Sequence, residues 1–493
     1  MASLLTALRG LLIKSHPEPT PVFDVKRVAI IGAGPCGTAV AKYLRAQNAF
    51  ATIDIYERQS ASACGGVWYY TPETAPAPYL PQTSPRTAPN DLVPGSAPPL
   101  YASAMYDDLH ANIMGSLMQY TGCPFPASAK LFPSREIIYQ YVLDYAAEVM
   151  DLVKFSHNVV RVDLASPGGR DQWTVHAEDD TTGGSMTTAT YDAVVVANGH
   201  YSLSLVPEIT GLAAFAIAHP GIISHSKQYR SNASFSGKKV VVVGNGPSGA
   251  DIGRQIGQVA ASPLYLSVRH ATSPDRLEHI GAVEVPEITE FLPDIRGVRL
   301  ADGVEIPNVD AVVFCSGYMF SLPFLPGLEE KLITTGRAVQ GLYQHLFSIE
   351  HPTLAFPGLL QQAIPYAISE AQAAVLATVW SNAEKLPTKT EMQAWNDALV
   401  EERGENLHNM LKGTDGLYIN TMHDWVGRSS VKKPPLWGEY QMWQRKLFIE
   451  AKLRFEKGGC TAMTLEDLGF KFPDLPGDLT TTSVAKGQGS TCI

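Results

Sequence analysis

The sequence predicts an α/β chain built on two nested copies of one strand–turn–helix–strand unit, followed by a helical C-terminal region. Three observations carry that prediction. Val28-Ala29-Ile30-Ile31 and Val240-Val241-Val242-Val243 are unbroken apolar runs, as strands covered on both faces of a parallel sheet require. Each run leads straight into Gly-x-Gly-x-x-Gly. Each turn is then followed by apolar residues at helical spacing and a second apolar strand.

The elements follow in order. In the first unit the turn is Gly32-Ala33-Gly34-Pro35-Cys36-Gly37, the helix carries Val40, Ala41, Tyr43 and Leu44, and the strand Thr52-Ile53-Asp54-Ile55-Tyr56 ends at Glu57. Residues 71–99 are dense in proline and small polar residues and read as an irregular excursion. Spacing predicts a helix over 137–149. Trp173-Thr174-Val175 and Ala193-Val194-Val195-Val196 read as strands that complete the first sheet. In the second unit the turn is Gly244-Asn245-Gly246-Pro247-Ser248-Gly249. Ala250, Ile252 and Ile256 begin its helix, residues 264–269 form its second strand, and Ala311-Val312-Val313-Phe314 closes it. After Gly317 the chain returns to the first domain, and from about Glu384 it reads as helical with no chemistry of its own.

Such turns hold dinucleotides for a physical reason. The first glycine permits the tight turn, the second lets backbone approach a pyrophosphate, and the third lets helix and strand pack together. The phosphates meet the free N–H groups and positive dipole end of the helix. Gly32, Gly34 and Gly37 form one such Rossmann-type fingerprint, and Gly244, Gly246, Ser248 and Gly249 the other. The residue ending the second strand selects the nucleotide. Glu57 can accept from a free ribose diol, as FAD or NAD offers. Ser267 and Arg269 stand at the matching place of the second unit, where a hydroxyl and a cation suit the 2′-phosphate of NADP.

Composition excludes several classes. With 38 basic against 48 acidic residues and a formal net charge of -10, the chain lacks the basic footprint of a nucleic-acid binder. Its 6 cysteines include no Cys-x-x-Cys pair, which speaks against a disulfide framework, a zinc site and a dithiol redox centre. No apolar run approaches the ~18–20 residues of a membrane span, and the chain is expected to be cytoplasmic. In residues 1–14, Leu4, Leu5, Leu8, Leu11 and Leu12 share one helical face beside Arg9 and Lys14. That stretch reads as a capping helix or frayed tail, with a peripheral membrane anchor as the less favoured alternative.

Further motifs carry a family resemblance over residues from about 26 to about 374. Glu57-Arg58 is followed by Gly65-Gly66-Val67-Trp68, which resembles a Gly-Gly-x-Trp segment beside a flavin. The run from Met105 to Asn112 resembles the segment delivering an active-site asparagine, with Met114 where relatives usually have proline. Phe132-Pro133-Ser134-Arg135-Glu136 also matches a family segment. His219-Pro220-Gly221, His225 and Tyr229-Arg230 resemble the linker before a pyridine-nucleotide domain, with His219 in place of phenylalanine. Ala197-Asn198-Gly199-His200-Tyr201 and Cys315-Ser316-Gly317-Tyr318 resemble the two interdomain crossings. Pro352-Thr353-Leu354, Gly358 and Ser369-Glu370-Ala371-Gln372 resemble the segment returning over the flavin. On these motifs the chain resembles the flavin-containing monooxygenases, class B flavoprotein monooxygenases.

The resemblance implies an FAD-binding domain over 1–212 and 318–493, with an NADPH-binding domain over 213–317 inserted into it. It implies that FAD is held by Gly32, Gly34, Gly37, Glu57, Arg58, Gly66, Val67 and Trp68. NADPH would be held by Gly244, Gly246, Ser248, Gly249, Ser267 and Arg269. It further implies an NADPH- and O2-dependent reaction through a C4a-hydroperoxyflavin. One oxygen atom passes to the amine nitrogen or sulfide sulfur of a small molecule, with Asn112 as the catalytic residue. Two alternatives share the scaffold: a Baeyer–Villiger enzyme, against which Tyr229 speaks because those enzymes usually carry tryptophan there, and an amino-acid N-hydroxylase. A more distant alternative is a non-catalytic binding protein with a degraded nucleotide site.

Overall fold

A computed structural model describes residues 18–473 apart from Ala75 and Lys412. The amphipathic stretch 1–14 lies outside the described residues. The described residues divide into two compact units: residues 18–58, 149–198 and 322–437 form one, and residues 59–148, 199–321 and 438–473 the other. The excursion after the second strand and the last helix fall in the same unit as the second glycine turn.

The first unit is centred on a seven-stranded sheet. Its order is Leu342–Tyr343, Phe347–Ser348, Leu354–Ala355, Ala193–Val196, Arg27–Ile31, Thr52–Glu57 and Val153–Phe155. The strand Arg27–Ile31 runs parallel to both Thr52–Glu57 and Ala193–Val196, and Val28, Ala29 and Ile30 are fully buried. That is why the run reads as uninterrupted apolar sequence. The helix Pro35–Gln47 follows the first turn and packs against the helix Pro365–Trp380, which is buried along nearly its whole length.

The strand around Trp173 departs from expectation. The strand Gln172–Asp179 does not join the parallel sheet; it is the centre of a separate antiparallel sheet with His157–Ala165 and Ser185–Tyr191. Its burial alternates residue by residue, the pattern of a sheet with one covered face. A three-residue apolar fragment cannot reveal which sheet it will join, since the partner strands lie far off in sequence.

The second unit holds a five-stranded parallel sheet in the order Ala282–Pro286, Leu264–Val268, Val240–Val243, Ala311–Phe314 and Ile223–His225. Its central valines Val240, Val241 and Val242 are fully buried. The helix Pro247–Gly257 follows the second turn. Antiparallel strands Ile288–Leu292, Gly297–Leu300 and Glu305–Ile306 form a side sheet. Residues 71–99 form no regular strand or helix, as their proline content requires. No helix among the described residues is long and apolar enough to cross a membrane.

Candidate dinucleotide sites and the Asn112 segment

The two glycine turns are built alike. In the second, Gly244 has φ +103°, and a Cβ there would lie 2.9 Å from the Cys315 carbonyl oxygen. A Cβ on Gly249 would lie 1.8 Å from the Gly244 carbonyl oxygen. The protein itself therefore demands glycine at both positions. Gly246 is different: no protein atom lies within 4 Å of the place a Cβ would take, and its φ of -64° suits any residue. Packing gives no reason for glycine there, whereas a ligand phosphate does.

Gly246 is the N-cap of the helix Pro247–Gly257, with no side-chain cap and no acidic residue in the first turn. Proline at the first helical position removes one N–H that would otherwise need a partner. The remaining N–H groups and the dipole of this helix start meet no acidic residue of the first turn itself. Ser248, in the same turn, makes no side-chain hydrogen bond to a described residue. The first turn repeats the design. Gly32 has φ +104°, a Cβ on Gly37 would lie 1.9 Å from the Gly32 carbonyl oxygen, and Gly34 caps the helix Pro35–Gln47 without a side-chain bond.

The ends of the two second strands are held differently. Glu57 is buried, and its Oε2 accepts from the Ala33 N–H at 2.8 Å, which ties the end of the second strand to the first turn. Gly358 approaches Cys36 so closely that a Cβ there would meet the sulfur at 2.3 Å. Cys36 Sγ also lies 3.0 Å from Ser369 Oγ, so the returning segment rests on the first turn itself. In the second unit Ser267 is buried and donates to the Pro286 carbonyl at 3.0 Å. Its hydroxyl is thus already spent inside the protein, while Arg269 is exposed.

Sequence reasoning missed Arg276. Its Nη2 lies 3.4 Å from the Gly246 carbonyl oxygen, so a second cation stands beside the open glycine. Burial lowers its pKa and the charge of Glu456 raises it. Asn245 fastens the turn to this loop by donating to the His270 carbonyl and to Thr272 Oγ1, each at 2.9 Å. The signal in the sequence was only an arginine two residues past the Ser-Pro that opens the helix Pro274–Ile280.

Also in the second unit, Gly65 and Gly66 have φ +113° and +60°, and the turn they make leads into the short helix Gly66–Trp68. Trp68 is half-buried and stacks on no described ring, so it is not a core aromatic. Asn112 is exposed, and no hydrogen bond to a described residue holds its side-chain amide. The backbone before it is fixed instead: the Ala111 N–H donates to the Pro133 carbonyl at 2.9 Å, and Arg135 N–H to Leu109 at 3.0 Å. The usual behaviour of a loop asparagine, bonding its own backbone, is not what this one does.

Two of the linker residues are structural. Tyr229 is buried and donates to Gln255 Oε1 at 2.8 Å. His225 is fully buried, accepts from the Lys227 N–H at 3.1 Å through Nδ1, and therefore donates through Nε2 to the Gly317 carbonyl at 3.0 Å. Cys36, Cys64, Cys315 and Cys460 are free thiols. No group of histidine, cysteine and carboxylate side chains among the described residues could hold a metal ion.

Two buried sheets, each with a parallel centre that leads through a glycine turn into a helix start without a side-chain cap, define a protein built for two dinucleotides. Comparison with known proteins gives the family. The model of flavin-binding monooxygenase-like proteins matches residues 101–273 and 274–438. The chain is 31% identical over 401 residues to the flavin-containing monooxygenase FMO GS-OX-like 2 of Arabidopsis thaliana, covering 79% of this chain and 80% of that one. It is 30% identical over 421 residues to the thiol-specific monooxygenase of Saccharomyces cerevisiae, covering 82% and 86%. The structure of an S-allyl-L-cysteine S-oxygenase from Allium sativum aligns with a TM-score of 0.74 at 26% identity, covering 91% of this chain and 97% of that one. The chain belongs to the flavin-binding monooxygenase family and is an FAD-dependent monooxygenase that uses NADPH.

Proposed function

We propose that the chain oxygenates a soft nucleophilic atom of a small molecule, with sulfur favoured over amine nitrogen. The names of two relatives, one thiol-specific and one an S-oxygenase, support the preference for sulfur. Bound FAD, reduced by NADPH, would activate O2, one atom of which would pass to the substrate while the other leaves as water. The two glycine turns fit two dinucleotides, and the open glycine at Gly246 is the observation that carries the fit to NADPH.

In this reading Gly32, Gly34, Gly37, Glu57 and Arg58 hold FAD, joined by Gly66, Val67 and Trp68. Gly244, Gly246, Ser248 and Gly249 receive the NADPH pyrophosphate through backbone N–H groups. Arg269 and Arg276 meet its 2′-phosphate, where guanidinium pairs well with phosphate oxygens, and Ser267 braces the strand end that carries Arg269. Residues 1–212 with 318–493 serve FAD and residues 213–317 serve NADPH. Asn112 presents an amide that can donate and accept at once, which suits orienting the reacting groups and steadying charge as oxygen is transferred.

The test is Asn112→Ala, measured as sulfoxide and peroxide formed per NADPH consumed with methyl phenyl sulfide. The expected result is flavin reduction at near wild-type rate with peroxide replacing sulfoxide. Normal sulfoxide yield without peroxide would overturn the role given to Asn112.

A further inference from the structure

The sequence gives the C-terminal helix no chemistry, yet this helix reaches the Asn112 segment. The helix Glu439–Lys457 lies in the same compact unit as that segment and the helix Pro274–Ile280. Lys452 donates through Nζ to the Ala111 carbonyl at 2.9 Å and, at 3.5 Å, to the His110 carbonyl. These are the two carbonyls directly before Asn112. Glu456, one helical turn on, forms an ion pair with the same ammonium through Oε1 at 3.3 Å. The ammonium is thus held by two backbone carbonyls and one carboxylate.

The arrangement is built rather than incidental. The Lys452 and Glu456 side chains are each only 13% exposed. Its Nζ lies 5.2 Å from the ring centre of Phe132 and 5.7 Å from that of Phe455, both fully buried rings. A charge placed there has to be paired, since an unpaired one costs several kcal/mol. Glu456 is the common anion: its Oε2 lies 3.0 Å from His279 Nε2, and its charge also acts on Arg254 and on Arg276 beside Gly246. His279 stands one turn after Arg276 in the sequence. One carboxylate therefore faces the lysine that grips the Asn112 backbone and the helix carrying the cation of the second glycine turn.

We propose that Lys452 is a positioning residue for oxygen transfer. By holding the His110 and Ala111 carbonyls it fixes the peptide planes that aim the Asn112 amide, and Glu456 holds Lys452 in that pose. This rests on the reading of Asn112 given above. Surface ion pairs contribute little, but the Lys452 side chain is mostly covered and both of its hydrogen bonds go to backbone, so losing it frees the segment rather than a side chain.

The experiment uses holoenzyme of wild type, Lys452→Met, Lys452→Arg, Asn112→Ala and the double variant, with peroxide and sulfoxide counted per NADPH and flavin reduction followed separately. Methionine keeps the packing between Phe132 and Phe455 and removes the donors. Lys452→Met is expected to reduce flavin at wild-type rate while its peroxide-to-sulfoxide ratio rises about tenfold, the scale of one lost charged hydrogen bond. Lys452→Arg restores coupling, and the double variant leaks no more than Asn112→Ala alone. Wild-type coupling in Lys452→Met, with Asn112→Ala leaking, overturns the positioning role alone. Leakage in the double variant that multiplies the two single effects also overturns it, because Lys452 then acts elsewhere. Normal coupling in Asn112→Ala removes the underlying reading as well. If Lys452→Met yields no holoenzyme, Lys452→Gln decides by the same criteria.

Discussion

Two neighbouring glycines in one turn should fail in opposite ways. Gly246→Ala places its methyl where no protein atom lies within 4 Å, at φ -64° and ψ -175°, values alanine adopts freely. Restricting the unfolded chain stabilises by about 0.4–1 kcal/mol. Replacing a good N-cap with a poor one costs a similar amount, so the net change stays within about 1 kcal/mol. The methyl does, however, fill the approach of a pyrophosphate. Losing even one or two charge-assisted backbone bonds, at roughly 1.5–3 kcal/mol each, weakens NADPH binding by about 100-fold. Gly249→Ala is the reverse. Its methyl would lie 1.8 Å from the Gly244 carbonyl oxygen, so backbone must move at a cost of about 1–3 kcal/mol or more. Thermal unfolding followed by flavin release reads the first quantity. Anaerobic flavin reduction against NADPH concentration reads the second. The expected pattern is Gly246→Ala stable but weak for NADPH, and Gly249→Ala destabilised. If Gly246→Ala keeps its NADPH affinity within twofold, or melts as early as Gly249→Ala, the reasoning from the open glycine is refuted.

Arg276→Ala and Arg269→Ala should each lower kcat/KM for NADPH by about 10-fold or more while leaving NADH nearly untouched, since only NADPH carries the 2′-phosphate. Equal losses for both nucleotides would mean that the arginine supports the turn and not the phosphate. Stability should also fall with acid. Burial pushes His225 down to about 3, against its bond to Gly317 and with a smaller contribution from the nearby Lys227. Below the unfolded value of about 6.5, the unfolded chain binds the proton that the folded one refuses, so stability is complete above that pH. It then declines as pH falls from 6.5 toward 3, by about 1.4 kcal/mol per pH unit for this one group. His225→Gln, which offers both an acceptor and a donor, should flatten that decline in melting curves between pH 7.5 and 5; an unchanged slope would exclude His225 as its source.

Much of this protein is determined by residues close together in sequence. A four-residue apolar strand, a glycine turn and a helical stripe lie within one short stretch, so both strand–turn–helix units were legible without coordinates. The Gly-Gly-Val-Trp and Asn112 segments were legible as motifs, because each is a local signature. Tertiary structure alone decided what depends on distant neighbours. It moved the strand of Trp173 into a separate antiparallel sheet. It spent the Ser267 hydroxyl on Pro286 and placed Arg276 beside Gly246. It also brought Lys452 to the Ala111 carbonyl, 341 residues earlier in the chain. No periodicity records such a meeting. Local pattern reports backbone geometry and which face is buried, whereas the partner of a hydroxyl or an ammonium is set by whichever elements the packed core brings alongside it.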